Sequence, residues 1–138
     1  MAVFERSQAT IRVFGDSLNP EEVTAILGCE PTTSQRMGEE IIGQKTGTVR
    51  VARTGLWRLR ATQRDPEDLP GQIDELLGRL TDDMRAWSTV RETCQIDLFV
   101  GLFMSSGNNG LSISPEHLLA LGERGIELGL DIYDHSED

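Results

Sequence analysis

The chain has 138 residues, 38% of them hydrophobic and 26% charged, with a net charge of −10. That length suits a single domain, 1–138, able to bury roughly two thirds of the surface its unfolded form exposes. The acidity argues against a general nucleic-acid binder, since a polyanion is repelled at long range, and no run of about 18 apolar residues offers a membrane span.

The opening stretch, MAVFERSQATIRVFG, has no basic segment followed by an apolar run, so the cytoplasm is the expected compartment. Cys29 and Cys94 stand 65 positions apart with no further thiol or ligand-spaced histidine, and read as a reduced, part-buried pair. Charge is unevenly spread. Residues 1–64 hold 9 Lys/Arg and 7 Asp/Glu, whereas residues 65–138 hold 4 and 16. Seven of the 13 basic residues fall between Arg36 and Arg64, opposed there only by Glu39 and Glu40. Such a chain can pair its halves internally, pair head to tail with a second copy, or offer a basic patch to an anion. Internal pairing is the default.

In chain order, ATIRVFG alternates Ile11 and Val13 against Thr10, Arg12 and Phe14, the period of a strand. NPEEVTAIL then reads as a short helix: Asn19 is a good N-cap, Pro20 suits the first helical position, and Gly28 ends it. Glu22 adds a capping-box-like acid. The segment from Cys29 to Gly47 has no clean period and reads as a loop with one short extended piece. TVRVARTGLWRLRA reads as two strands around Thr54-Gly55, with Trp57, Leu59 and Ala61 on one face and Leu56, Arg58 and Arg60 on the other.

The clearest helical stripe follows. Ile73, Leu76, Leu77, Leu80, Met84 and Trp87 recur at spacings of three and four, which predicts one core-facing helix. CQIDLFVGLFM is a long strand, with Cys94, Ile96, Leu98, Val100, Leu102 and Met104 on one face. The glycine turn SSGNNG predicts a hairpin that returns as a strand over Leu111–Ile113. Ser114 and Pro115 open a third helix, ended at Gly122 or Gly125, and IELGLDIY closes as a strand. The chain thus parses as three strand–helix–strand units, 1–53, 54–104 and 110–133. The expected fold is an α+β two-layer sandwich: a mainly antiparallel sheet of about six strands with three helices on one face, ferredoxin-like in part.

TGLWRL (Thr54 to Leu59), IDLFVGLF (Ile96 to Phe103), SPEHLLALGERGIELGLDIY and the opening ATIRVFGDSLNPEEVTAILGCEPT together resemble the bacterial domain-of-unknown-function family numbered 4279. The resemblance spans nearly the whole chain. It implies a compact single-domain bacterial cytosolic protein and no particular activity, because the matching motifs are strand and cap patterns rather than reactive groups.

Reactive constellations are sparse. No G-x-S-x-G elbow occurs, and the serines of FMSSG end a strand without a nearby base. His117 falls in the first turn of a helix with nothing in the sequence to orient it, and reads as solvated. Asp131, Asp134, His135, Glu137 and Asp138 could loosely hold a divalent cation, but a terminal segment rarely fixes ligands, so no metal and no cofactor is expected. One surface stands out. By parity the outer sheet face collects Arg12, Arg58, Arg60, Asp97, Phe99, Phe103, Glu127, Asp131 and Tyr133.

These residues favour a non-catalytic binding or interaction module, its interface at Phe99, Phe103 and Tyr133. The partner would be another protein, as in an inhibitor or immunity role by analogy, or a second copy in a homodimer; neither nucleic acid nor a membrane is expected as partner. The alternative is a small-molecule sensor or an enzyme with an anion site around Arg36, Trp57, Arg58 and Arg60.

Overall fold

Strand β1 (Arg6–Gly15) occupies the centre of the sheet in the computed structural model, which describes residues 3–135. Its inward side chains, Ser7, Ala9, Ile11 and Val13, are wholly buried, as the period-two pattern requires. After it come α1 (Pro20–Leu27), β2 (Thr33–Gln35), β3 (Glu40–Ile42), β4 (Val49–Val51) and β5 (Gly55–Arg60). The second half contributes α2 (Leu69–Arg79), α3 (Met84–Arg91), β6 (Gln95–Phe103), α4 (Pro115–Glu123) and β7 (Glu127–Tyr133).

The main sheet runs β2-β5-β1-β6-β7. Its first four strands are antiparallel throughout, the ferredoxin-like order expected of the first two units. The sandwich is α+β with helices over one face, where Val23, Leu27, Ile73, Leu76, Trp87 and Leu121 join the inward residues of the strands in one core.

Three details depart from the expectation. The main sheet has five strands, because β3 and β4 pair only with each other in a separate hairpin. The long apolar stripe belongs to two helices. Leu80 takes an extended conformation (φ −108°, ψ 161°), and Asp83 accepts from the Arg85 N–H to start α3. The stripe crosses the break unchanged, since Trp87 still reaches the core and its Nε1 donates to the Thr81 carbonyl at 2.8 Å. That makes four helices among the described residues, in place of three.

Finally, Leu111–Ile113 is not a strand. β7 lies parallel to β6, and parallel neighbours need a crossover, which residues 104–114 and α4 supply. A returning hairpin would have occupied the edge of β6 that β7 takes. Leu111 and Ile113 instead pack part-buried against the core.

Caps match their residues closely. Asn19 Oδ1 accepts from the N–H groups of Glu21 and Glu22, and Gly28 closes α1 in the left-handed conformation (φ 82°), a geometry open to glycine without steric cost. Cys29 and Cys94 are free thiols, both part-buried. A buried polar clasp joins α2 to β1: Ser7 Oγ donates to Gln72 Oε1 at 2.7 Å, and Gln72 Nε2 donates to the carbonyls of Ser7 and Thr62.

Trp57, fully buried on the helix side, donates from Nε1 to Thr24 Oγ1 at 3.1 Å. Trp57→Ala removes a large core side chain and orphans no charge, so it should cost about 3–5 kcal/mol. Equilibrium urea denaturation measures this directly.

Candidate functional site on the outer sheet face

The face opposite the helices is assembled by strand register. Arg12 stands between Arg58 on β5 and Asp97 on β6, and Thr10 between Arg60 and Phe99. Gln8 faces Gly101, Arg6 faces Phe103, and Phe103 faces Tyr133 across the parallel pair. Alternation therefore delivers residues distant in sequence to one surface.

Two polar–aromatic arrangements result. Arg12 grips Asp97 with two hydrogen bonds, at 2.8 and 2.6 Å, and its guanidinium carbon lies 4.4 Å from the Phe99 ring centroid. The hydrogen bonding to Asp97 raises the Arg12 guanidinium above its ordinary value, against the opposing effect of burial. Beside it, Arg6 caps the Phe103 ring at 3.8 Å, and Phe103 stacks on Tyr133 with centroids 4.8 Å apart. Tyr133 donates its hydroxyl to Asp131 at 2.6 Å, and this bond raises the phenol pKa. Phe99, Phe103 and Tyr133 thus share a face, yet their rings are already partly covered by arginines and by one another.

Arg58 and Arg60 are different. Neither makes an ion pair among the described residues. Burial, then repulsion from Arg12, Arg60 and Arg50, lowers the Arg58 guanidinium from its ordinary value; an arginine nonetheless stays charged at neutral pH. The two open into a cleft of about 210 Å³, lined also by Gln8, Thr10, Arg12, Phe99, Gly101 and Tyr133. Among the described residues no carboxylate lines it. Gly101 forms part of its floor: a Cβ there would sit 3.6 Å from the Phe103 ring and 3.8 Å from that of Tyr133. A second cleft of about 450 Å³ runs between the sheet and the β3–β4 hairpin, lined by Ile41, Ile42, Arg50 and Leu56 among others. Arg58 belongs to both clefts.

The four residues around which an anion site was expected do not meet. Trp57 points into the core from the opposite face of the sheet. Arg36 follows β2 and pairs with Glu21, with a further hydrogen bond to Asn19 at the start of α1. Only Arg58 and Arg60 remain together, joined by Arg12.

His117 is not the loosely solvated group its position suggests. Its Nδ1 lies 3.0 Å from Ser114 Oγ and its Nε2 2.8 Å from Asp74 Oδ1, and its side chain is only 18% exposed. A serine, histidine and aspartate in line invite comparison with a hydrolase. However, Ser114 Oγ is occupied as the N-cap of α4, accepting the His117 N–H at 3.1 Å, and Asp74 is largely exposed. None of the three lines either cleft. The chain of bonds ties α4 to α2. Sequence carried half of this signal, in the cap SPEH; the partner on α2 is a tertiary neighbour.

Among the described residues no three His, Cys, Asp or Glu side chains converge on a point that could hold a metal ion. Glu137 and Asp138 of the acidic tail lie outside the described residues.

Residues 5–135 match the family described as Domain of unknown function (DUF4279). The chain belongs to that family. The match takes in every strand and helix named above, so both clefts lie within the DUF4279 domain. No curated protein and no solved structure matches the chain. In this DUF4279 domain no helix is long and apolar enough to cross a membrane, among the described residues.

Asp97 is nearly buried, whereas the Arg12 side chain is about a third exposed, so solvent weakens their pair. Asp97→Asn should cost about 1 kcal/mol of stability, read from the denaturation midpoint, with the far-ultraviolet circular dichroism unchanged.

Proposed function

We propose that this domain is a non-catalytic interaction module whose outer sheet face receives an anionic group, presented by an acidic segment of a partner protein. The observation that carries the reading is the cleft at Arg12, Arg58 and Arg60, a cationic floor without a lining carboxylate in a chain of net charge −10. Arginine forks suit carboxylates and phosphates, and an aromatic wall of Phe99 and Tyr133 adds contact area beside the charge. The adjoining hairpin exposes Ile42, Val49 and Val51, which would cover the apolar part of a docking segment. Binding is favoured over chemistry because, among the described residues, the smaller cleft is lined by no histidine, cysteine or carboxylate, and Glu39 and Glu40 of the larger one are exposed to solvent. A bacterial cytoplasmic setting fits the reading, as the two thiols are free.

A second reading keeps the same chemistry with a smaller ligand. The 210 Å³ cleft is below the size usual for a cofactor site, but has room for a lone phosphate or carboxylate group. Such a protein would be a sensor of a small anion.

Titration calorimetry and backbone amide shifts with two probes, a glutamate-rich peptide and inorganic pyrophosphate, separate the readings. The interaction module binds the peptide more tightly; the sensor prefers pyrophosphate. In either case the shifts should centre on Gln8, Thr10, Arg58, Arg60 and Gly101. Arg58→Glu with Arg60→Glu should weaken binding about tenfold or more while the domain stays folded. Asp97→Asn should strengthen it, by releasing Arg12 from its partner. Shifts confined to other surfaces, or binding indifferent to both arginines, would sink the anion-face reading.

A further inference from the structure

Strand β7 closes the sheet at one end, and among the described residues nothing pairs with its far side. The Tyr133 carbonyl accepts from the Met104 N–H at 2.9 Å, so Tyr133 aims its backbone groups at β6. Strand residues alternate in this respect, so Asp131, Gly129 and Glu127 also aim inward, while Leu128, Leu130 and Ile132 present N–H and C=O to the open edge. Those three also carry the apolar side chains of the strand. They stand on the helix side, in register with Leu98, Val100 and Leu102 of β6, but Leu130 and Ile132 are 48% and 54% exposed.

On α4, Leu118 and Leu119 are 51% and 66% exposed. His117 ties that helix to α2, and Leu119 lies about 200° further round, on the side turned away from α2. The β7 edge has no proline, no lysine and no bulge in its ladder with β6. These are among the features that ordinarily protect an exposed strand from pairing; the charges β7 does carry, Glu127 and Asp131, stand on its outer face and constrain the register.

We propose that β7 pairs antiparallel with β7 of a second copy about a twofold axis at Leu130, joining the two five-stranded sheets into one. The register follows from backbone and charge together. With the axis at Leu130, Leu130 faces Leu130 and Leu128 faces Ile132, so every residue with outward backbone groups meets another such residue. On the opposite face Gly129 meets Asp131 and Glu127 meets Tyr133. No like charges stand directly opposed. An axis at Gly129 would set Glu127 against Asp131 twice, and one at Asp131 would set that carboxylate against itself, which is unfavourable across an antiparallel pair. An axis at Leu128 or Ile132 leaves fewer residues paired.

In a single copy the strand serves one sheet only, and Leu130 and Ile132 of its apolar row stay about half exposed. In the dimer that row becomes continuous across the axis, with Leu118 and Leu119 of each α4 beside it. This goes beyond the anion-face reading: the two share Tyr133, which lines the cleft and would face Glu127 of the second copy, but Arg58 and Arg60 lie three strands away from the paired edge.

Sedimentation equilibrium over a concentration series tests the proposal. The full chain should sediment as a dimer, and Leu130→Lys and Leu130→Glu should each weaken dimerisation about tenfold or more. Leu130 is half exposed, so both variants should keep the circular dichroism of the parent. Because position 130 faces itself only in the proposed register, an equimolar mixture of the Lys and Glu variants should restore the dimer. Leu130→Pro, which removes an edge-facing N–H and no bond to β6, should give a folded monomer. The Arg58→Glu, Arg60→Glu variant should remain dimeric, which keeps this result separate from the fate of the anion face. A parent chain monomeric at every concentration, a dimer unmoved by Leu130→Lys, or a charge-swapped mixture that stays monomeric would each overturn the proposal.

Discussion

Strand β1 is hydrogen-bonded along both sides, to β5 and to β6, and this double pairing places everything else in the molecule. Its inward residues, Ala9, Ile11 and Val13, meet the helices and are fully buried. Its outward residues, Arg6, Gln8, Thr10 and Arg12, are held at fixed spacing between two neighbouring strands. A one-residue slip would exchange the faces, sending Arg12 into the core and Ile11 to water. The burial of three apolar side chains and the desolvation cost of a guanidinium both oppose that slip. The register that seats the core therefore also sets the geometry of the basic cleft.

The electrostatics follow from this frame. An overall acidic chain could neutralise each of its arginines internally, and several are so used: Arg12 by Asp97, Arg64 by Asp68 and Glu75, Arg36 by Glu21. The first two carry residues of the basic half to acids of the acidic half. Arg58 and Arg60 escape because their strand lies between β1 and the short β2, whose outward neighbour of Arg58 is Thr33. The acidic residues of β6 and β7 are on the other side of β1. Positive charge is left concentrated in the smaller cleft, while Glu39 and Glu40 share only the second cleft with Arg58.

Strand β7 works on both faces for the same geometric reason. Tyr133 and Asp131 look toward the outer surface, where the phenol stacks on Phe103; Leu130 and Ile132 look toward the helices and an edge with no further strand among the described residues. Parallel pairing with β6 makes this arrangement. It demands the α4 crossover, and α4 is anchored at its first turn through Ser114, His117 and Asp74 while its Leu118 and Leu119 stay uncovered.

Much of this was legible in the amino-acid sequence by itself. The facing of β1, β5 and β6, the caps at Asn19, Gly28 and Ser114, the core position of Trp57 and the outward position of Arg58 and Arg60 all follow from signals a few residues long. Alternation and capping are settled by local sterics and hydrogen bonding, so a short window suffices. Tertiary structure decided the rest. The apolar stripe from Ile73 to Trp87 continues across a helix break because both helices bury against the same sheet. SSGNNG has the composition of a hairpin turn, but β7 claims the edge that a returning strand would need. Arg36 and Trp57 stand near Arg58 and Arg60 in sequence and apart in space, since one joins α1 and the other faces the core. Which strands become neighbours is a competition among long-range pairings, each with its own loop-closure cost, and no local pattern records its outcome.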